Sequence, residues 1–590
     1  MERKILVLSI IIPILILIGL LFSPPDHQLG RYKGIVSAKV KDDFEIKLVF
    51  HFRVVSPEDL DQKLVSFKNT SHLTGDQKIN ITILAYGYNE YPLEPGSKAD
   101  FEVVIYVNGE PLLIKPTMIR GIVILPNGNK EKALILSYGE QIVFRFAIRY
   151  RSRIAIITLL IIAFLWLSEI IPLVASALLV PVIAVLSGIL TPKQALSPLF
   201  DPVIALFFGG FLLARAMRKY DLDKRIALTL ITRAKTPGAL VLIIMLITCF
   251  LSFWMSNTAV AALMLPISLA LLKTIEKERG SNYGKLLVLG VAYSATVGGM
   301  GTIIGTPPNA LAVGMLEDIA GIEMGFLDWM ILSVPFTLLL LFVSFVYLYI
   351  IYPPRKDIET RRIHATLLDL TAIKIQIADL GRVKKEEKIT AIILIATVSL
   401  WITQKLPFSI GGWKGHGVSA GIIALCSTVA LFSLGILDSK DLKEISWETL
   451  LIFGGGLVLG EMLVLSGVSE WIVAQMLVIR EPFLILILLG FLSLIITAFA
   501  SNTAAAVILL PLAIPIGSAI GINPIIPALV VAIATSTDFA LPIGTPPTML
   551  AYSTGYLKFR EIVKVGFPLM IIGILLLTLI VVPIWMIILS

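Results

Sequence analysis

Two short polar phrases recur inside apolar sequence, Ser256-Asn257-Thr258 in SNTAVAALMLP and Ser501-Asn502-Thr503 in SNTAAAVILLP. A second pair follows them, GTPPN at Gly305 to Asn309 and GTPPT at Gly544 to Thr548. No charged residue lies from Thr236 to Leu272 or from Pro482 to Thr537, so both SNT phrases are set in hydrocarbon. The phrases supply hydroxyls, amides and breaks in the backbone, and no side-chain cation. A turn of this kind exposes helix N-termini, whose free amides and dipole favour carboxylate, sulfate or phosphate. The same turns expose carbonyl and hydroxyl oxygens, which suit a small cation such as sodium.

The elements that must position these groups follow from their spacing. SNT returns at an offset of 245 residues, and so does FGG, at Phe208 to Gly210 and Phe453 to Gly455. A shared register of that length marks two copies of one unit. Unpaired backbone groups are not tolerated in lipid, so the interruptions must face a protein-lined cavity. Repeats with interrupted helices are the mark of a secondary transporter. Helix packing through small residues accounts for glycine and serine, but not for an SNT followed by a GTPP in both halves.

A length of 590 residues, a mean hydropathy of +0.90 and 15% charged residues describe a polytopic membrane protein rather than a soluble enzyme. The two cysteines, Cys249 and Cys426, lie in apolar runs and make neither a disulfide framework nor a metal site. The five histidines show no HExxH spacing, and GTPPN lacks the glycine spacing and lysine of a phosphate loop. The formal charge of +8 is explained by short basic loops, so membrane orientation accounts for it better than a nucleic-acid partner.

Along the chain, residues 1–23 read as a first transmembrane helix rather than a signal peptide, because Pro24-Pro25 stands where a cleavage site would be. Residues 24–152 alternate polar and apolar with turn pairs at Asn108-Gly109 and Asn127-Gly128, which predicts an extracytoplasmic all-β domain, a small sandwich. Asn69 and Asn80 head glycosylation sequons there. A first transmembrane repeat over 153–355, a cytoplasmic linker over 356–388 and a second repeat over 389–590 complete the chain. The predicted fold class is therefore an α-helical polytopic membrane protein, an inverted-repeat transporter with two re-entrant hairpins, broken helices and about 11 spans, plus the small all-β domain.

With the N-terminus cytoplasmic, the basic segments Met217 to Arg225, Lys273 to Lys285, Arg355 to Lys388 and Lys558 to Lys564 fall inside. Glu317 to Asp328, Glu461 to Gln475 and Pro515 to Pro527 fall outside and carry no lysine or arginine. The repeats are then inverted, and the β domain and C-terminus are extracytoplasmic.

The paired SNT hairpins, the GTPP breaks, FGG and WLSEIIP resemble the divalent anion:sodium symporter family, over residues 1 to 22 and about 153 to 590. The resemblance implies a homodimer in the lipid bilayer that carries di- or tricarboxylates, or sulfate, with sodium (Na+) by an elevator movement of a transport domain against a scaffold. It places a first sodium site at Ser252, Ser256, Asn257 and Gly305, and a second at Thr497, Ala500, Asn502 and Gly544. It places substrate contacts at Asn257, Thr258, Thr306, Ser501, Asn502, Thr503, Thr545 and Pro546. A hydroxyl kept at both Ser252 and Thr497 favours sodium coupling over exchange.

Two residues depart from that pattern. Thr548 stands where the first repeat has Asn309. Asp538 places a carboxylate in an apolar run before Gly544, where it would carry a proton or ligate an extra cation, or be capped by neighbouring Ser536 and Thr537. The competing readings are a sodium-independent anion exchanger, a proton-coupled transporter using Asp538, and a sensor or adhesion protein working through the β domain.

Overall fold

Prolines and the repeated polar phrases set where the helices stop. Ser152–Ser168 ends at Glu169, whose φ of 47° turns the chain, and Pro172 then starts Leu173–Leu186. In the computed structural model the described residues are 2–23, strand segments between 30 and 147, 151–275, 280–354, 371–406, 414–476, 479, 481–542 and 544–589. The sequons at Asn69 and Asn80 and the first part of the linker lie outside them.

The fold class expected from sequence needs correction in its β domain. Between residues 30 and 147 the strands join in one antiparallel path, with Ser66–Phe67 at one end and Ile81–Gly87 at the other. The expected extracytoplasmic all-β sandwich is withdrawn. Alternation identifies strands and their two faces but not which sheets they join, and nothing in this path fixes a side of a membrane. From residue 152 onward the described residues contain helices and no strand.

Among the described residues six helices are long and apolar enough to cross a membrane by length and composition: 192–219, Phe326–Ile351, Trp447–Leu465, Pro482–Phe499, Asn502–Ala519 and 559–588. Pro237–Ser252, Asn257–Lys273 and Ile525–Thr535 are shorter because the polar phrases end them. Pro237–Ser252 and Asn257–Ile275 form one hairpin broken at SNT, and Pro482–Phe499 and Asn502–Ala519 form the other. The GTPP phrases separate Asn282–Gly299 from Pro307–Ala320, and Ile525–Thr535 from Pro546–Ser553.

FGG is explained by close helix contact across the halves. Pro202–Lys219 packs on Ala420–Ser433, and a Cβ at Gly209 would come within 2.6 Å of the Ala424 carbonyl oxygen. Trp447–Leu465 packs on Leu173–Leu186, and a Cβ at Gly455 would come within 2.6 Å of the Ala177 carbonyl oxygen. The break elements are exchanged in the same way. Pro307–Ala320 packs on the hairpin arm Asn502–Ala519, while Pro546–Ser553 packs on the arm Asn257–Ile275.

Candidate functional site

The two GTPP breaks have the same local cause. A residue before proline is pushed out of the helical region, and Thr306 and Thr545 are extended at φ −147° and −133°. The prolines that follow occupy the first helical turn, where a missing amide hydrogen costs nothing. At the SNT tips the serines cap the outgoing arms, Ser256 accepting from the Ala259 amide at 3.4 Å and Ser501 from the Ala504 amide at 3.2 Å. The first amides of those arms have no intrahelical partner and lie beside Asn257, Thr258, Asn502 and Thr503.

Behind each tip a buried hydroxyl gathers oxygens. Ser252 Oγ lies 2.7 Å from Asn257 Oδ1 and 2.7 Å from the Ala295 carbonyl oxygen. Thr497 Oγ1 lies 2.8 Å from Asn502 Oδ1 and 2.7 Å from the Thr535 carbonyl oxygen. Each hydroxyl has one proton for two acceptors. Each cluster therefore brings three oxygens together with a single donor, an arrangement that a small hard cation completes. Ser252 and Thr497 are fully buried, and both join a hairpin to a broken helix.

Glycine brings the remaining atoms in. Gly299 lies against the Asn257 side-chain amide, and Gly305 lies against the Gly299 carbonyl, so that neither position has room for a Cβ. In the second half Gly544 lies in the same way against the Asp538 carboxylate. Ala500 is extended at φ −128° and ends its arm. Thr306 and Thr545 are 3% exposed, whereas Ser256, Thr258 and Pro546 are exposed. The clusters thus bring together Ser252 with Asn257 and Thr497 with Asn502, while the outer SNT residues stay at the tips.

The departures noted in the sequence have structural consequences. Asn309 Nδ2 donates to the carbonyls of Gly299 at 3.0 Å and Thr302 at 2.7 Å, stitching the first break. Thr548 makes no such stitch and bonds Thr545 Oγ1 at 2.9 Å instead. Asp538 is fully buried, and Ser536 and Thr537 do not cap it, since their hydroxyls donate back to Ala532 at 3.0 Å and Ile533 at 2.7 Å. The carbonyls of Ala295 and Thr535 were missed by residue-based reading. Only their places, ten residues before Gly305 and nine before Gly544, could have pointed to them.

Comparison with known proteins shows the family. The profile described as the sodium:sulfate symporter transmembrane region matches residues 149–590. A protein of Staphylococcus saprophyticus named sodium-dependent dicarboxylate transporter SdcS is 33% identical, over 70% of this chain and 83% of its own length. An uncharacterized transporter of Haemophilus influenzae is 36% identical over 69% of this chain and 86% of its own. Among solved structures, MtrF of Neisseria gonorrhoeae, described in terms of a class of antimetabolite efflux pumps, aligns with a TM-score of 0.51. It is 13% identical and covers 69% of this chain and 85% of its own, a likeness of fold alone. With its repeated hairpins, its broken helices and a profile match over most of its length, the chain belongs to the sodium:sulfate symporter family.

Proposed function

We propose that the protein is a secondary active transporter that carries a dicarboxylate together with sodium. The observation that carries this reading is the mirrored pair of oxygen clusters, at Ser252, Asn257 and Ala295 and at Thr497, Asn502 and Thr535. The names of the SdcS relatives favour sodium and dicarboxylate among the ions that such clusters and helix ends could take. In this reading Ser252, Ser256, Asn257 and Gly305 hold one sodium ion, and Thr497, Ala500, Asn502 and Gly544 hold another. The two ions offset the charge of a dianion bound at the tips by Asn257, Thr258, Thr306, Ser501, Asn502, Thr503, Thr545 and Pro546. First-turn amides add partial positive charge without a fixed cation, so the dianion is held without a permanent salt bridge. The reading extends to a homodimer with an elevator-type movement, as the resemblance implies, and to a cytoplasmic N-terminus, as the basic loops favour.

Purified protein in liposomes tests this with radiolabelled succinate. Uptake driven by an inward sodium gradient and absent with potassium is expected. Uptake of equal size in both salts would contradict the coupling, and uptake driven only by internal anion would favour an exchanger.

A further inference from the structure

The two cation clusters are matched in their hydroxyl, amide and carbonyl oxygens, but not in what lies against the glycine of each break. Counting six residues back from Gly305 reaches Gly299, and six back from Gly544 reaches Asp538. In the first half Gly305 touches the Gly299 carbonyl oxygen, which accepts from Asn309 Nδ2 at 3.0 Å. In the second half Gly544 touches Asp538 Oδ2, and Thr548, in the place of Asn309, is turned to Thr545. A neutral oxygen with a donor has been replaced by a carboxylate oxygen without one.

Asp538 is fully buried, and among the described residues Oδ1 accepts only from the Ala540 amide, at 3.3 Å, while Oδ2 has no hydrogen-bond partner. The ion pairs of Arg215, Lys219, Arg225 and Lys285 are all made with other carboxylates. The carboxylate is also held in place. The next residue, Phe539, packs its ring 5.0 Å from that of Tyr293, whose hydroxyl donates to the Phe539 carbonyl at 3.4 Å. Gly566 closes on that carbonyl from the other side. A buried carboxylate oxygen without a donor is costly unless it takes up a proton or meets a cation. In the sodium reading above, its neighbour Gly544 is one of the residues of the second site, and the Thr535 carbonyl of that cluster lies three residues before Asp538 in the chain.

We propose that Asp538 is a direct anionic ligand of the second cation site, so that the two mirrored sites bind the same ion by unequal chemistry. The first holds sodium with neutral oxygens only. The second adds a full negative charge, fills first and at lower sodium, and becomes electrically neutral once filled. This inference rests on the sodium-coupling reading above and adds a residue to it.

Sodium-dependent thermal stabilisation of the purified full-length protein tests it, with potassium replacing sodium at constant ionic strength. Asp538→Asn keeps the shape of the side chain and removes its charge. The sodium concentration for half-maximal stabilisation is expected to rise about tenfold or more, with melting in potassium alone no lower than that of the wild type. An unchanged midpoint in a sodium-responsive wild type overturns the assignment of Asp538 and leaves the coupling reading standing. A wild type that melts identically in both salts contradicts the coupling reading itself. Should the variant fail to fold, an electron cryomicroscopy map of the wild type in sodium decides. Ion density in contact with Asp538 Oδ2 is expected, and density confined to Thr497 and Asn502 overturns the proposal.

Discussion

The hydroxyl of Ser252 stands 2.7 Å from the side-chain oxygen of Asn257, across the break that ends one hairpin arm and begins the next. Thr497 and Asn502 repeat the relationship at 2.8 Å in the other half. A residue at the end of one arm is thereby tied to the first residue of its partner arm, and each tie is anchored to a broken helix through a carbonyl.

Removing either hydroxyl should weaken sodium binding while leaving the fold intact. Ser252→Ala and Thr497→Val are each expected to raise the sodium concentration for half-maximal uptake about tenfold, the scale of a lost bond to a charged group. Thr497→Ser keeps the hydroxyl and should stay close to the wild type. Sodium titrations of uptake in liposomes check this, and equal half-saturation for Thr497→Val and Thr497→Ser would count against the hydroxyl.

Gly299→Ala should disable the first site without replacing a ligand residue. The added methyl group would meet the Asn257 amide, which must swing away from Ser252. A loss of about 1–3 kcal/mol in stability is expected from overpacking, together with loss of one of two sodium-dependent steps in thermal stabilisation. An alanine variant that keeps both steps would show that the amide need not stay where it is.

The Asn309 stitch makes the first break the more rigid of the two. Asn309→Ala takes the side-chain donor from the Gly299 carbonyl and leaves the Thr302 carbonyl with the Gly305 amide alone, and should destabilise by about 2–4 kcal/mol. Thr548→Ala loses one hydroxyl contact and should cost about 1 kcal/mol. Denaturation midpoints of the two variants compare them directly, and equal losses would contradict the asymmetry.

How much of this was legible in the sequence depends on the kind of group. Helix breaks were, because Pro307 and Pro546 force the preceding threonines to extend and SNT returns in register. The alternation between residues 30 and 147 revealed strands but not their joining into one path, since pairing partners such as Gly30–Lys41 and Ile119–Ile124 lie far apart in the chain. The carbonyls of Ala295 and Thr535 carry no side-chain signature. Nor does sequence show that Asp441 of the second half receives Arg215 at 2.8 Å and Lys219 at 2.6 Å from the first. The orphaned oxygen of Asp538 depended on where Ser536 and Thr537 spend their hydroxyl protons, which only coordinates reveal.

A pH effect should arise away from the cation sites, at Asp223 in the short helix Leu222–Ile231. Burial pushes its carboxyl up to about 6, with the Lys224 amide and the Arg218 charge pulling against it. A folded-state value above the ordinary 3.8 means that the contribution to stability is fully present below pH 3.8 and is lost as pH rises towards 6. Asp223→Asn does not titrate, so its unfolding free energy should gain on the wild type between pH 4 and about 6.5, by up to about 3 kcal/mol. Parallel curves over that range would contradict the burial argument.

Equilibrium binding of radioactive sodium to the purified protein tests the central claim most directly, because it reads the two clusters without requiring transport. Asn257→Ala and Asn502→Ala should each remove one class of sodium site, and the double variant should bind none above the potassium background. Wild-type binding by the double variant would show that the ions lie elsewhere and that the mirrored tips are not the sodium sites.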